Sequence, residues 1–167
     1  MPNGHVTHAE QEGFHVLRYF GRVDYMLAPS ISRFAERLLG EGKIGGLIFD
    51  LTEAENLDST NLGLLARLAE RVRTSGGGRS VIVSTSDNIN CVLRSMSFDQ
   101  IFDIVTESTR PPGDTGGEIE PEPQSQEELL HTMLDAHRTL VSLSEADRLQ
   151  FQDVVACLEA ELKPRRS

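Results

Sequence analysis

Two nearly continuous apolar runs constrain the fold of this chain more than any other feature of its sequence. Residues 46–51 read Gly-Leu-Ile-Phe-Asp-Leu and residues 80–84 read Ser-Val-Ile-Val-Ser, a pattern typical of strands buried on both faces of a sheet. Between them, residues 62–72 repeat apolar side chains at the spacing of an amphipathic helix. A strand, a helix and a second strand in this order predict a parallel pair joined by a crossover helix.

The flanking sequence continues the same alternation. It predicts strands at residues 14–20 and 101–105, and helices at residues 30–39 and 88–95. Because strands and helices alternate along the chain, we predict an α/β fold with a mixed, mostly parallel sheet and helices packed on it.

The composition changes sharply at residues 107–128. This stretch contains four prolines, three glycines and seven acidic residues, with a single arginine. Acids repel one another, glycine raises the entropy lost on ordering, and proline removes backbone donors. The stretch therefore predicts a flexible acidic linker that separates a domain at residues 10–106 from a segment at residues 129–163.

The segment at residues 129–163 predicts a helical hairpin with one apolar seam. Its apolar residues recur at helical spacing in two groups, which are Leu130, Met133, Leu134, Leu140 and Val141, then Phe151, Val154, Val155, Leu158 and Leu162. We expect His137 to lie on this seam with its polar edge in water. Two short helices bury too little surface to be stable alone, so the seam rests on the domain, on a second copy as a homodimer, or on another partner.

The charge balance excludes two common classes of ligand. The chain has 26 acidic and 16 basic residues, a formal net charge of −10, whereas nucleic acids and anionic membranes both require a basic surface. We find no apolar run of membrane-spanning length and no signal-peptide core. Two isolated cysteines, Cys91 and Cys157, are typical of reduced thiols. We therefore predict a cytoplasmic protein that binds neither nucleic acid nor membrane.

Motifs for catalysis, cofactors or metals do not emerge from residue spacing. Residues 40–45 contain glycines and a lysine, but they follow a helix and lack the Ser/Thr that a phosphate loop places after its lysine. His5 and His8 have no evident third or fourth metal ligand. We expect no cofactor, no metal ion and no enzymatic activity.

Asp58 and Ser59 stand where a buried strand has ended and the next helix begins. One interpretation is structural, because either side chain can cap the free backbone donors of the first helical turn. The other interpretation is functional. A serine hydroxyl at a helix N-terminus can be phosphorylated without breaking the helix, since that end favours negative charge.

The sequence around this turn resembles the STAS domain family, best known from bacterial anti-sigma factor antagonists. Residues 57–65 read Leu-Asp-Ser-Thr-Asn-Leu-Gly-Leu-Leu, where the family usually has Asp-Ser-Ser-Gly-Leu-Gly. Residues 21–24 and 28–29 are similar to the family's first strand-to-helix turn, and residues 86–102 to its third helix and final strand. The resemblance covers residues 10–106 and implies the STAS fold.

The family resemblance also implies a partner-switching role. An anti-sigma factor with serine kinase activity phosphorylates such an antagonist, a PP2C-type phosphatase reverses the mark, and the unphosphorylated antagonist frees the sigma factor for transcription. Ser59 matches the phosphoacceptor, with Thr60 as the alternative because it replaces the second serine. The implied partner contacts are Asp24, Asp58, Thr60, Asn61 and Leu62, with Asn61 in place of glycine. A non-catalytic scaffold or adaptor subunit, in a stress-signalling or transporter-associated assembly, is the alternative role.

Overall fold

The computed structural model describes residues 4–42, 44–107 and 116–164. Within these ranges, two short 3-10 turns, Tyr25–Leu27 and Phe98–Gln100, lie between regular elements. The strands are β1 (His5–Gln11), β2 (Phe14–Val23), β3 (Gly46–Leu57), β4 (Val81–Val83), β5 (Asp103–Val105) and β6 (Gly117–Glu118). The helices are α1 (Ala28–Gly40), α2 (Ser59–Thr74), α3 (Asp87–Ser95), α4 (Gln126–Val141) and α5 (Glu145–Leu162).

The sheet is mixed and mostly parallel, which confirms the predicted fold class. Its strand order is β5-β4-β3-β2-β1-β6. β2, β3, β4 and β5 run parallel to one another, whereas β1 pairs antiparallel with both β2 and β6. The helices α1, α2 and α3 connect the successive parallel strands, as crossover connections between parallel strands require.

The carboxyl ends of β2 and β3 lie side by side. Val23, the last residue of β2, pairs with Leu57, the last residue of β3. Because each strand then turns into its own helix, Asp24 and Asp58 begin two neighbouring turns at one edge of the sheet. The fold therefore brings together two sequence segments that are far apart along the chain.

The first strand was not predicted from the sequence. In β1 only Val6 is buried, and the other positions are half-buried or exposed, so the strand lacks the apolar alternation that identifies a strand. A tight turn at Glu12 and Gly13, with φ angles of 53° and 84°, connects it to β2. The predicted domain start at residue 10 therefore falls inside β1.

The predicted linker at 107–128 differs from the structure in its second half. Residues 108–115 lie outside the described residues, and α4 already begins at Gln126. Residues 116–125, which we call the strap, lie along the domain. Within the strap, β6 pairs with Thr7 and His8 of β1, and the buried Ile119 joins the hydrophobic core.

Polar groups on α1 fix the rest of the strap. The backbone N–H of Glu122 donates to Ser30 Oγ over 2.9 Å, and Arg33 Nη2 donates to the carbonyl of Pro123 over 2.9 Å. Arg37 pairs with the Glu122 carboxylate at 3.0 Å. An acidic residue that suggested a repulsive linker is thus paired with an arginine of α1. Composition alone did not reveal this pairing.

The hairpin of α4 and α5 packs on the domain. α4 contacts both α2 and α1, and α5 packs on α4. Leu140 of α4 and Phe151 of α5 are buried and belong to the same hydrophobic cluster as the sheet residues. The apolar seam of the hairpin therefore packs on the domain, which is one of the three possibilities that the sequence left open.

Candidate functional site

Asp58 caps α2, and Ser59 is the first residue of that helix. The Asp58 backbone is extended (φ −79°, ψ 172°), and its Oδ1 accepts a hydrogen bond from the Asn61 N–H over 2.9 Å. The capping role considered for this pair therefore belongs to Asp58. The Ser59 side chain is left available for another interaction.

Asn61 joins the two neighbouring turns. Its Nδ2 donates to the carbonyl of Val23 over 3.2 Å and to Asp58 Oδ1 over 3.0 Å. Next to Val23, Asp24 Oδ1 accepts from the Met26 N–H over 2.9 Å and caps a 3-10 turn. Asn61 lies in regular helix, so the freedom of the glycine usual in the family is not required here, and the amide instead holds the turns in register.

The residues predicted as partner contacts differ in exposure. Asp24 is exposed, and both Asp58 and Ser59 are half-buried. Thr60, Asn61 and Leu62 are buried at 3%, 0% and 4% exposure. The latter three shape the site from inside, whereas Asp24, Asp58 and Ser59 form its reachable part.

His137 of α4 binds the Ser59 hydroxyl directly. Ser59 Oγ and His137 Nε2 are 2.8 Å apart, and His137 Nδ1 lies 2.7 Å from the carbonyl oxygen of Met133. A carbonyl oxygen only accepts, so Nδ1 carries the ring proton, and in the neutral imidazole Nε2 accepts the Ser59 proton.

The expectation that the polar edge of His137 lies in water was wrong. The residue is only 3% exposed, and both ring nitrogens bind protein atoms rather than water. Its ring also packs edge-on against Phe151 of α5, with the ring centroids 5.8 Å apart. The sequence placed His137 on the seam, but no spacing rule could have connected it with a serine 78 positions away.

α4 also approaches α2 very closely one turn after Ser59. A β-carbon placed on Gly63 would lie 2.3 Å from the carbonyl oxygen of Ala136 and 2.8 Å from its β-carbon. Residues 59 and 63 share one face of α2, since positions four apart lie above one another on a helix. This face of α2, from Ser59 to Gly63, is therefore covered by α4.

A small apolar groove of about 80 Å³ lies beside the site and is open to solvent. It runs between the beginnings of α2 and α3. Leu57 and Leu62 line one side, and Ile89 and Val92 line the other. Val92 is 44% exposed. The groove thus places an accessible apolar surface next to the Asp58–Ser59 turn.

A larger cavity of about 660 Å³ lies at the other end of α2, far from Ser59. Arginines line it, but Arg71 pairs with Glu36, Arg73 with Glu70 over 2.6 Å, and Arg79 with Asp103 over 2.9 Å. Acidic partners therefore offset the charge of three of the four arginines that line this cavity, the fourth being Arg67.

The described residues show no cluster of metal ligands, and their two cysteines are not paired. They contain no group of three or more His, Cys, Asp and Glu side chains placed to hold a metal ion. His8 instead contacts His15, with Nε2 and Nδ1 2.8 Å apart. Cys91 and Cys157 are both free and exposed. Across the same residues, no helix is long and apolar enough to cross a membrane.

A model of the STAS domain family matches residues 5–110, which is more than half of the chain and includes β1 to β5 with the Asp58–Ser59 turn. The chain belongs to the STAS domain family. The predicted family resemblance is thereby confirmed. The match ends before the strap and the hairpin, so α4 and α5 are additions to the STAS domain.

Solved structures with this fold include anti-sigma factor antagonists. A putative antagonist from Thermotoga maritima has 19% identity and a TM-score of 0.56, with 62% of this chain and 87% of the other covered. An antagonist from Mycobacterium paratuberculosis has 19% identity and a TM-score of 0.55, with coverage of 63% and 87%. The Bacillus cell fate determinant SpoIIAA, in its phosphorylated form, has 17% identity and a TM-score of 0.52, with coverage of 61% and 92%.

At these identities the likeness to solved structures shows the shared fold. A comparison with the sequences of curated proteins finds no match. The chemistry of this chain must therefore be argued from its own residues.

Proposed function

We propose that this STAS protein is a non-catalytic anti-sigma factor antagonist whose partner binding is controlled by phosphorylation of Ser59. The observation that carries the proposal is the position of the Ser59 hydroxyl. It belongs to the first residue of α2, on the edge where the Asp24 and Asp58 turns meet, and it is not consumed by helix capping. Structural neighbours include an antagonist in phosphorylated form.

Phosphorylation at this position adds charge without disturbing the fold of α2. A phosphate carries about −1.5 to −2 charges at neutral pH, and a helix N-terminus favours an anion. The cap from Asp58 to Asn61 uses other atoms and survives the modification. The new charge is therefore sensed by a docked partner, and a hundredfold to thousandfold loss of affinity requires only about 3–4 kcal/mol.

Ser59 is a better acceptor than Thr60 in this structure. Ser59 is half-buried, while Thr60 is only 3% exposed. A kinase has to enclose the acceptor hydroxyl, so modification of Thr60 would require the first turn of α2 to unwind. We therefore assign the mark to Ser59.

The partners follow from this role. An anti-sigma factor with serine kinase activity binds the unphosphorylated turn and later modifies it, and a PP2C-type phosphatase restores the hydroxyl. Asp24, Asp58 and the neighbouring apolar groove supply the accessible contacts. The protein acts in the cytoplasm, where the sigma factor directs transcription, and a homodimer through the exposed side of α5 is compatible with it.

The test is binding of Ser59 variants to the anti-sigma factor. We expect Ser59→Ala to bind at least as tightly as the unmodified chain, and Ser59→Asp to bind at least a hundredfold more weakly. Ser86→Asp is the matched control, because Ser86 caps the neighbouring helix α3 and aspartate preserves that cap. Equal affinity of the two Ser59 variants would contradict the proposal.

A constitutive scaffold is the second candidate function, and one observation favours it. The Ser59 hydroxyl is already hydrogen-bonded to His137 beneath α4, as expected if this surface holds the chain together instead of receiving a mark. The mass of the intact protein recovered from growing and from stressed cells separates the two. A phosphorylated fraction supports the antagonist, and an unmodified mass under every condition supports the scaffold.

A further inference from the structure

The C-terminal hairpin occupies the face of α2 on which the proposed switch depends. We infer that docking of α4 and phosphorylation of Ser59 are mutually exclusive, so that the hairpin masks the partner surface and the phosphate displaces it. The inference rests on the proposed function, because it describes how that same site is regulated. It is carried by the Ser59–His137 contact and by the packing around it.

The geometry leaves no room for a phosphate between Ser59 and His137. The Oγ to Nε2 distance is 2.8 Å, which suits one proton shared between two heavy atoms. A serine phosphoester has lost that proton, and its phosphoryl group is much larger. The hydrogen bond is therefore broken, and the imidazole has to leave its place or force the phosphate toward the exposed side of the turn.

His137 cannot retreat within the docked hairpin. Its Nδ1 is fixed to the Met133 carbonyl and its ring packs against Phe151. One residue before it, Ala136 packs closely against Gly63 of α2, so α4 is held close to α2 beside the hydrogen bond. Because packed interiors do not compress, space on the covered side of Ser59 appears only when α4 as a whole moves away from α2.

The charges around Ser59 also oppose a phosphate beneath α4. Asp58 precedes Ser59, and Asp24 lies on the adjoining turn. On α4, the cation next to His137 in sequence is Arg138, and it is directed to Glu159 of α5 at 3.5 Å. A dianion held against α4 without a matched cation is disfavoured, so the phosphorylated chain is expected to prefer the undocked hairpin.

The strap keeps a displaced hairpin attached to the domain. β6 is paired with β1, the Ile119 N–H donates to the Val6 carbonyl over 2.8 Å, and the Glu122 N–H is held by Ser30. These contacts do not involve α4. Opening therefore requires rotation near Ser125, the cap residue of α4, and release of the ion pair between Arg33 of α1 and Glu128 of α4, while the strap and the sheet remain in place.

Masking also lowers the apparent affinity of a partner for the unmodified chain. A partner that needs the α2 face binds only the fraction of molecules with an open hairpin, so its apparent dissociation constant rises by the reciprocal of that fraction. A change that opens the hairpin without altering α2 or the two turns is then expected to strengthen partner binding.

The primary test is hydrogen exchange of the full chain carrying phosphoserine at position 59, with phosphoserine at position 86 as the matched control. We expect amides of α4 to exchange at least tenfold faster in the first protein, equivalent to about 1.4 kcal/mol. Amides of β2 and β3 should be unchanged, which shows that the domain stays folded. The inference would be overturned if exchange in α4 were unchanged. It would also be overturned if exchange were slower because His137 binds the phosphate.

A second variant tests the same contact without phosphate. His137→Ala removes the hydrogen bond from the hairpin side and leaves every residue of α2 in place. We expect faster exchange in α4 and, with an anti-sigma factor that discriminates the Ser59 variants, at least threefold tighter binding. If the amides of α4 in His137→Ala exchange at the same rate as in the unmodified chain, the inference is contradicted. This result decides the question even if the phosphoserine protein fails to fold.

The outcomes separate this inference from the function on which it rests. If phosphoserine opens the hairpin but no anti-sigma factor distinguishes Ser59→Ala from Ser59→Asp, the masking stands and the antagonist role fails. If the two variants bind differently but α4 keeps its protection after phosphorylation, the antagonist role stands and the masking fails.

Discussion

The backbone of α4 rests directly on Gly63, where an added β-carbon would lie 2.3 Å from the carbonyl oxygen of Ala136. Two helices can approach this closely only where one of them lacks a side chain. The contact lies one turn from Ser59, so it determines how tightly α4 covers that residue.

Gly63→Ala is therefore expected to push α4 away from α2. Overpacking of this kind costs about 1–3 kcal/mol. Because the obstructing atom belongs to the backbone of α4, a side-chain rotation cannot remove the clash, and we expect the hairpin to open instead. Urea unfolding measures the loss, and hydrogen exchange locates it in α4. Gly40→Ala is the control, because Gly40 is also helical and has no atom within 4 Å of an added β-carbon. Equal stability of the two variants would refute the expected crowding.

Asn61→Ala is expected to loosen the two turns at the site. It removes both Nδ2 donors and leaves the buried Val23 carbonyl without this hydrogen bond, a loss of about 1–3 kcal/mol. Asn90→Ala provides a matched comparison, since Asn90 Nδ2 donates to the Ser84 carbonyl in the same way at α3. Both variants should unfold at lower urea concentration, but only Asn61→Ala should weaken partner binding. If both weaken it equally, Asn61 has no special role at the site.

His8 is expected to make stability depend on pH near neutrality. Burial, and then the nearby His15, lower the pKa of His8 below its ordinary value of 6.5, with Glu10 acting weakly in the opposite direction. The unfolded chain therefore takes up a proton before the folded chain does, so this contribution is complete above pH 6.5 and is lost as the pH falls through the lowered pKa.

The measurement is the free energy of unfolding at pH 7.5 and at pH 5.5, for the unmodified chain and for His8→Gln. The variant should lose less stability between the two values, because glutamine does not titrate. His131→Gln, at an exposed position of α4, should keep the full dependence. A His8→Gln profile parallel to that of the unmodified chain rules out this contribution.

Asp147 is expected to weaken the hairpin at neutral pH. Its side chain lies in the first turn of α5 and is fully buried, and this burial raises the pKa of Asp147, with the Ser144 hydroxyl opposing the shift. For an acid whose pKa is raised on folding, stability is greatest at low pH and falls as the pH rises from 3.8 through the raised pKa.

Asp147→Asn should therefore stabilise the protein by about 1 kcal/mol at pH 7, since a neutral amide is less costly to bury than a carboxylate. Thermal unfolding of the variant should also show a weaker decline between pH 4 and pH 7. Asp153→Asn, on an exposed position of the same helix, controls for the change in net charge. A destabilised Asp147→Asn protein would mean that the charge is held favourably after all.

The parts of the fold that sequence predicts well are those with strong local patterns. The apolar runs of β3 and β4 and the helical spacing of α2 identify a parallel sheet, because burial on both faces leaves no polar positions. The start of α2 at Asp58 and Ser59 was equally clear, since capping demands a side-chain acceptor at that point. These features located the start of α2 to within a residue.

The remaining parts depend on contacts between distant segments. The Ser59–His137 hydrogen bond joins residues separated by most of the length of the domain, and nothing local to His137 distinguishes a bound imidazole from a solvated one. The strap was misjudged for the same reason, because its acids are stabilised by arginines of α1 that composition does not locate. β1 escaped detection since a half-exposed strand carries only weak apolar alternation.

The hairpin and the turn that it covers belong to a single polypeptide, connected through the strap. Opening and closing are therefore unimolecular, and the ratio of open to closed molecules is independent of how much of the protein is present. Changes in expression would then alter the number of molecules without altering how readily each one opens.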